Sequence, residues 1–245
     1  MTHLWALGRK ILKHAQKIIF ITPNAQQSAL QHPVLRSVRD VIANNSIVIS
    51  NGIDPFWNQN ITHKQSGKTP LSILYVGNFE YYKNIPLLIA VCLQAQKRYP
   101  DLHLNLVGGG GSQQKEVEAL IQEHHAWITF RERVTDKECL KEIYRNNDIF
   151  AMVSRETFGL VYIEALTQGL PLIYAENGGF YNLYEEGHVG YSVDPQNTDS
   201  ILNTIQKIVD NYDTLIDNIS HCDFNRYDWN AIAKQYIDEL KMGSY

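Results

Sequence analysis

Two glutamates, Glu156 and Glu164, are separated by seven residues and enclose the pair Phe158-Gly159. The apolar run at 148–153 before them predicts a buried strand, and the residues from Phe158 onward predict a helix. The free N–H groups and partial positive charge of a helix N-terminus suit a phosphate. Glu156 would lie in the loop beside this phosphate, and Glu164 roughly 9 Å along the helix axis from Phe158, at ~1.5 Å per residue. This spacing suits a ligand with hydroxyl groups on both sides of a diphosphate, as in a nucleotide sugar.

The elements that must position these glutamates are strands and helices that alternate from Leu71 to the end of the chain. Besides the helix after Phe158, strands are predicted at 72–76, 102–107, 127–130, 148–153, 172–174 and 190–193, and helices at 85–99, 112–125, 135–147, 198–218 and 229–241. This alternation predicts an α/β fold with a Rossmann-like, doubly wound parallel sheet. Such sheets bind ligands outside the carboxyl ends of the strands. We therefore expect the loops that begin at Gly77, Gly108 and Ser154 to meet at one cleft.

The first 50 residues predict a smaller set of elements. Residues 4–17 have apolar side chains at helical spacing, with basic residues on the other faces. A strand at 17–22, a helix at 25–43 and a strand at 47–49 are predicted to follow. We expect four parts in the chain: an N-terminal part at 1–50, a junction at 51–70, a ligand-binding domain at 71–226 and a closing helix at 227–245.

Two further loops carry residues suited to phosphate chemistry. Gly77 and Asn78 follow the first strand of the α/β domain, and Lys83 lies five positions after Asn78. The positive charge of a lysine in such a loop suits a phosphate. Four glycines at 108–111 follow the next strand, and glycine lets the backbone approach a ligand closely. Ser112 is expected to cap the helix that comes after them.

The segment from Glu156 to Pro171 resembles the donor-binding motif of retaining glycosyltransferases of family GT4, which have the GT-B fold. The matching residues are Glu156, Phe158, Gly159, Glu164, Ala165, Gly169 and Pro171. The loop from Gly77 to Lys83 and the glycines at 108–111 are similar to family segments too. The resemblance covers about residues 47–241. It implies the C-terminal, donor-binding half of a GT-B fold, with only the end of the N-terminal domain.

The resemblance implies a nucleotide-diphosphate sugar, UDP- or GDP-linked, as the donor substrate, with no further cofactor and no metal. Glu156 would contact the donor sugar, Glu164 the ribose, and Lys83 would act with Glu156 in catalysis. The implied donor-binding residues are Gly77, Asn78, Lys83, Gly108, Gly109, Arg131, Val134, Glu156, Thr157, Phe158, Gly159, Leu160 and Glu164. The implied reaction is hexosyl transfer with retention, as in polysaccharide biosynthesis, to a glycan or lipid-linked acceptor that the N-terminal half binds.

Two positions depart from the family pattern and leave other functions open. Asn78 replaces the usual arginine, so one cation of the diphosphate site is absent, and Arg155 is a basic residue able to take its place. Asn182 replaces the usual glutamate after the glycine pair at 178–179. These departures favour a non-catalytic nucleotide-sugar-binding subunit. Another GT-B-like enzyme, such as a nucleotide-sugar epimerase or a phosphorylase, is the other alternative.

The composition of the 245-residue chain is that of an ordinary globular protein, with 44% hydrophobic and 20% charged residues. A net charge of −4 with interspersed signs argues against nucleic acid as a partner. The cysteines, at 92, 139 and 222, form no metal-binding or disulfide pattern, which fits a cytoplasmic protein. No apolar run approaches the ~20 residues of a membrane-spanning helix. The basic segment 4–17 predicts either a domain-packing helix or peripheral contact with anionic lipid at the inner face of the membrane.

Overall fold

The computed structural model describes residues 2–242. Within this range the strands form a small sheet of two strands and a larger sheet of six. In chain order the elements are α1 (Thr2–Lys13), β1 (Ile18–Phe20), α2 (Pro23–Gln31), α3 (Arg39–Asn45), β2 (Ser46–Val48), α4 (Pro55–Gln59), β3 (Ser72–Gly77), α5 (Ile85–Ala95), β4 (His103–Gly108), α6 (Gln114–Glu123), β5 (Ile128–Glu132), α7 (Lys137–Arg145), β6 (Ile149–Met152), α8 (Leu160–Thr167), β7 (Leu172–Ala175), β8 (Gly190–Val193), α9 (Thr198–Ser220) and α10 (Trp229–Met242). Short 3₁₀ turns lie at Pro33–Val38, Tyr81–Lys83 and Phe224–Tyr227.

The six-stranded sheet has the order β5-β4-β3-β6-β7-β8, and each neighbouring pair is parallel. This is the strand order of a Rossmann-like, doubly wound sheet, so the predicted fold class is confirmed. The direction of winding reverses between β3 and β6, where Leu74 pairs with Phe150. We call this place the switch point. In doubly wound sheets, ligands bind at the switch point, in the crevice outside the carboxyl ends of the strands.

The core of this sheet is apolar on both faces, because helices cover it on either side. All four residues of β6 and all four of β7 are buried, as is typical of central parallel strands. The ring of Tyr162, on α8, contacts those of Phe150, Tyr174 and Phe180, with centroids 4.9 to 6.5 Å apart, and Phe180 also contacts Tyr174. The segment with the two glutamates therefore rests on a closely packed base.

The N-terminal part contains β1 and β2, which pair in parallel, and the helices α1 to α3 around them. The prediction of one helix at 25–43 is wrong: α2 ends at Gln31, and α3 begins at Arg39. The break lies at Pro33, because proline lacks an N–H group and forces the preceding residue out of the helical conformation. That residue, His32, is extended, with φ −66° and ψ 123°.

Residues 60–70 have no helix or strand, yet side chains anchor them to the end of α7 and the start of β6. Lys64 Nζ donates to three carbonyl oxygens, those of Tyr144 (3.4 Å), Arg145 (2.6 Å) and Asn147 (2.6 Å). Burial lowers the pKa of Lys64 to about 8, so the ammonium group is still mostly protonated at neutral pH. Lys68 forms an ion pair with Asp148. This part of the chain is therefore held against the domain.

The closing helix α10 contacts the N-terminal part. Lys17 forms an ion pair with Glu239 at 2.8 Å. The ring of Trp229, at the start of α10, lies against Gly52, where an added Cβ would come within 2.6 Å of the ring. These contacts join the last helix of the chain to residues just before β1 and just after β2. The division into four parts, with boundaries after residues 50, 70 and 226, stays a prediction.

We expect Lys64→Met to lower the free energy of unfolding by about 2–4 kcal/mol, because three carbonyl oxygens lose their charged donor. Lys68→Met is the matched control from the same segment. Its side chain is 51% exposed, and Asp148 keeps its hydrogen bonds from Leu71 and Ser72. We therefore expect a loss below about 1 kcal/mol for this variant. Urea denaturation at neutral pH measures both, and equal losses would contradict the anchoring role of Lys64.

Candidate functional site

An ion pair lies at the switch point of the sheet. Lys83 follows β3 in a 3₁₀ turn, Glu156 follows β6 in a loop, and Lys83 Nζ lies 2.7 Å from Glu156 Oε2. The pair is shielded from solvent, with side-chain exposures of 9% and 16%. Ser154 Oγ donates to the other carboxylate oxygen, Oε1, at 2.6 Å. The fold thus brings together two predicted site residues that are 73 positions apart in the chain.

Glycines on the neighbouring loop fix the backbone at Glu156. Gly179 N–H donates to the carbonyl oxygen of Glu156 at 2.6 Å, and a Cβ on Gly179 would lie 1.9 Å from the carbonyl oxygen of Thr157. Only glycine allows so close an approach. Asn24, from α2, donates through Nδ2 to the carbonyl oxygens of the two residues before Gly179, at 2.8 and 3.1 Å. The N-terminal part therefore fixes the loop of Gly178 and Gly179, and this loop in turn fixes the backbone at Glu156.

A cleft of about 370 Å³ opens beside Asn78, at the carboxyl ends of β3 and β4. It is lined by Val76, Gly77, Asn78, Val107, Gly108, Gly109, Arg133 and Val134, which include five of the predicted donor-binding residues. Arg131 lies elsewhere, in a separate crevice with Asn105 and Asn147. The basic side chain of the cleft is Arg133, which lies just past the end of β5.

Glu80 and Ser112 join the loops on the two sides of this cleft, a contact that no pattern in the sequence predicted. Glu80 accepts hydrogen bonds from the N–H and hydroxyl groups of Ser112 at 3.1 and 2.7 Å. The Ser112 hydroxyl accepts one from Tyr81 N–H at 3.0 Å. The expectation that Ser112 caps α6 is wrong, because its hydroxyl is engaged by the β3 loop and Gln113 occupies the cap position. The partners lie far apart in the chain, so no local pattern signals the contact.

The N-terminus of α8 has free backbone donors next to Glu156. Gly159 is the cap residue, with φ 81°, a conformation that favours glycine. The N–H groups of Phe158, Gly159 and Leu160 donate to no residue that the structure describes. The Phe158 side chain is buried, whereas Thr157 and Leu160 are exposed. Unpartnered N–H groups at a helix N-terminus form a site for an anion.

Glu164 lies in the second turn of α8 and is mostly shielded from solvent. Tyr144 Oη donates to Glu164 Oε2 at 3.1 Å. Burial raises the pKa of Glu164 to about 7, and the hydrogen bond from Tyr144 opposes this shift only in part. Near neutral pH the carboxyl group is therefore divided between its protonated and ionised forms. Such a group can hydrogen bond a hydroxyl either as donor or as acceptor.

Apart from Arg131, the predicted site residues thus form three groups: the cleft beside Asn78, the Lys83–Glu156 pair with the start of α8, and Glu164 on α8. Within residues 2–242, no three His, Cys, Asp or Glu side chains are arranged to hold a metal ion. None of the helices in that range has the length and apolar character needed to cross a membrane.

Comparison with known proteins relates this geometry to a family. The family model described as "Glycosyl transferases group 1" matches residues 58–220. An uncharacterized glycosyltransferase of Methanocaldococcus jannaschii is 26% identical over 214 residues, which cover 80% of this chain and 53% of that protein. Glycogen synthase of Mycobacterium tuberculosis is 27% identical over 165 residues, or 66% of this chain and 39% of that protein. The chain spans about half, or less, of the length of these relatives.

Solved structures share the architecture. Sucrose-phosphate synthase from Thermosynechococcus elongatus matches 99% of this chain and 62% of its own, with a TM-score of 0.74 and 25% identity. The Anabaena protein HepE in complex with UDP matches 97% of this chain and 67% of its own, with a TM-score of 0.76 and 20% identity. The resemblance to glycosyltransferases predicted from the two-glutamate motif is confirmed.

We expect Gly179→Ala to destabilise the fold by about 2–4 kcal/mol, because its Cβ meets a backbone oxygen that cannot move without displacing Glu156. Gly178→Ala is the matched control, since its Cβ would lie 3.2 Å from the nearest atom, the carbonyl oxygen of Ala175. For that variant we expect a loss of about 1 kcal/mol or less. Thermal unfolding measures both. If Gly179→Ala unfolds at the same midpoint temperature as the wild type, this loop does not hold Glu156 as described.

We expect Glu164→Gln to be more stable than the wild type at pH 8, by about 1–3 kcal/mol. The folded-state pKa is raised, so the cost of the buried carboxylate is fully present above about pH 7 and is relieved as the pH falls toward the unfolded-state value. The advantage of the variant should therefore shrink as the pH falls below 7 and be only a fraction of its full size at pH 5. Its amide oxygen can still accept from Tyr144. Urea denaturation from pH 5 to 8 measures the difference, with the exposed Glu123→Gln as control. A pH-independent difference would contradict the raised pKa.

Proposed function

This chain belongs to the group 1 glycosyl transferases, and from that premise we propose that it is the donor-binding, C-terminal half of a retaining GT-B hexosyltransferase of family GT4. The observation that carries the proposal is the buried Lys83–Glu156 pair at the switch point, next to the free N–H groups at the start of α8. A cation, an acid and a helix N-terminus at one place suit a sugar attached to a diphosphate.

In the proposed complex the donor lies across the switch point. The N–H groups of residues 158–160 and Lys83 bind the diphosphate, Glu164 binds the ribose, and Glu156 binds the sugar. The base occupies the cleft between Asn78 and Val134. The complex of Anabaena HepE with UDP supports a nucleotide-diphosphate sugar, UDP- or GDP-linked, as the donor. No metal or further cofactor is required, because Lys83 and the helix N-terminus supply the positive charge.

Donor binding changes the partners of both charged groups. Lys83 turns from Glu156 to the diphosphate, while Ser154 keeps hold of Glu156. Glu156 then accepts hydrogen bonds from the hydroxyl groups of the sugar. As the bond between sugar and diphosphate breaks, negative charge grows on the leaving group, and Lys83 and the helix N-terminus stabilise it. The oxygen of an acceptor hydroxyl group forms the new bond to the anomeric carbon, with its configuration retained, and the hydroxyl proton passes to the leaving diphosphate.

Arg133 supplies the second positive charge of the proposed donor site. Asn78 is neutral, and Arg133 lines the same cleft. Arg155 is less suitable, because its Nε donates to the carbonyl oxygen of Glu176 and its side chain lines a different groove. Asn78 is also the observation that favours the second candidate, a non-catalytic subunit that binds a nucleotide sugar.

The acceptor in this proposal is a glycan or a lipid-linked glycan, bound mainly by the N-terminal half of the GT-B fold, and the pathway is polysaccharide biosynthesis in the cytoplasm. Helix α1 exposes Leu7 and Ile11, and it also exposes Lys10 and Lys13. Apolar side chains beside cations suit a surface of anionic lipid. This supports peripheral contact at the inner face of the membrane.

Thermal unfolding with UDP, GDP and ADP, and with their glucose conjugates, tests the proposed site. We expect one nucleotide to stabilise the folded state by ~2.7 kcal/mol at a hundredfold excess over the dissociation constant, because it binds only folded protein. Glu164→Ala should remove most of this effect, since the contact with the ribose is lost. Absence of a shift with every nucleotide would refute the donor site.

Glu156→Ala separates binding of the sugar from binding of the nucleotide in the same assay. The variant should keep the shift caused by the nucleotide and lose the additional shift caused by its glucose conjugate. Glu156→Gln retains an oxygen for Lys83 and controls for the loss of the ion pair. In an enzyme with both halves of the fold, Glu156→Ala should reduce hexosyl transfer by at least about a hundredfold. A variant that keeps most of its turnover would exclude a catalytic role for Glu156.

A further inference from the structure

A groove of about 550 Å³ lies next to the Lys83–Glu156 pair and shares no lining residue with the cleft beside Asn78. Its walls come from the loops after β3, β6 and β8 and from the start of α6. Its lining includes Tyr81, Tyr82, Gln113, Glu116, Ser154 and Arg155. Ser154 also donates to Glu156, so the groove adjoins the position of the proposed donor sugar.

Two tyrosine rings on the wall of the groove are open to solvent. Tyr81 is 78% exposed and Tyr82 is 60% exposed, which is unusual for aromatic side chains. The ring of Tyr82 also contacts the site, because Lys83 Nζ lies 5.1 Å from its centroid. The face of an aromatic ring carries negative charge and attracts weakly positive hydrogens. The apolar face of a pyranose presents such C–H groups, so exposed rings of this kind suit a sugar.

The polar groups of the groove are mixed in kind and balanced in charge. Arg155 and Glu116 are of opposite sign, which disfavours a strongly charged ligand such as a nucleic acid. Gln113 is only 7% exposed, and its Oε1 has no hydrogen-bond partner among the described residues. Its Nε2 donates to Glu116 at 3.0 Å. Oε1 is itself shielded from solvent, so it could accept from a hydroxyl group in the groove only after the Gln113 amide turns toward the groove.

We propose that this groove binds a neutral oligosaccharide of pyranose units. Aromatic faces, amide groups and single charges of both signs match the alternating C–H and hydroxyl surfaces of such a chain. Resting on the proposed function, the occupant is the glycan that accepts the hexosyl group, held so that one end reaches Glu156. Part of the acceptor site then lies on the same half of the fold as the donor site.

Isothermal titration of this chain with maltohexaose, cellohexaose, chitohexaose and mannohexaose tests the groove. We expect at least one of them to bind. Tyr81→Ala should weaken that binding about tenfold, because the ring of Tyr81 supplies a large part of the contact with the sugar. Tyr81→Phe keeps the ring and should bind within about twofold of the wild type. The shift in unfolding temperature with the nucleotide should stay the same in both variants, because Tyr81 is outside the donor site.

Failure of all four oligosaccharides to bind would overturn the proposal, and so would equal affinity of the wild type and Tyr81→Ala. The nucleotide assay separates this outcome from failure of the proposed function. A nucleotide shift without oligosaccharide binding refutes the groove alone. Oligosaccharide binding that depends on Tyr81, in the absence of any nucleotide shift, supports the groove and refutes the donor site.

Discussion

The buried ion pair of Lys83 and Glu156 is the interaction on which the rest of the site depends. Two charges removed from water lose their hydration, and their mutual attraction offsets this loss only if their geometry is fixed. The switch point fixes it, because the loops after β3 and β6 face each other there. Ser154 holds the second carboxylate oxygen. The pair can stay buried only while both loops keep their positions. The surrounding structure must therefore hold the loops after β3 and β6 in place.

Several close contacts to the backbone hold these two loops. Gly179 approaches the carbonyl of Thr157 more closely than any side chain would allow, and so holds the loop of Glu156. On the other side, Asn84 ends the turn of Lys83 in a left-handed conformation, with φ 59°, and its Nδ2 donates to the carbonyl oxygen of Pro195 at 2.5 Å. Each site loop is thus tied to an element other than its own strand, which explains how the loops can be irregular and still fixed.

The sequence predicted the fold class, because strand and helix periodicity are local signals. It also predicted a single cleft for the loops that begin at Gly77, Gly108 and Ser154, but only the first two loops line the cleft beside Asn78, and Ser154 lines a separate groove. It did not predict the contact between Glu80 and Ser112, because the two lie 32 positions apart and neither belongs to a known local pattern. The donor-binding residues implied by the sequence include Arg131, whereas the arginine that lines the cleft is Arg133. Arg133 lies past the end of β5, where the alternation of a strand no longer fixes the direction of a side chain. Tertiary contacts decide such positions, and one sequence does not show them.

The charges of the free site are nearly balanced, although the proposed ligand carries a diphosphate. Glu156 neutralises Lys83, and Glu164 is only partly ionised near pH 7. Under the proposed function, initial attraction of a diphosphate would therefore depend on Arg133 and on the free N–H groups of α8. In the proposed complex, Lys83 would become available when Glu156 gains other partners, such as the hydroxyl groups of a donor sugar. Recognition of the sugar by Glu156 would then release Lys83, the cation that stabilises the leaving group. The same change of partners at Glu156 and Lys83 would both select the donor and promote cleavage of the bond between its sugar and diphosphate.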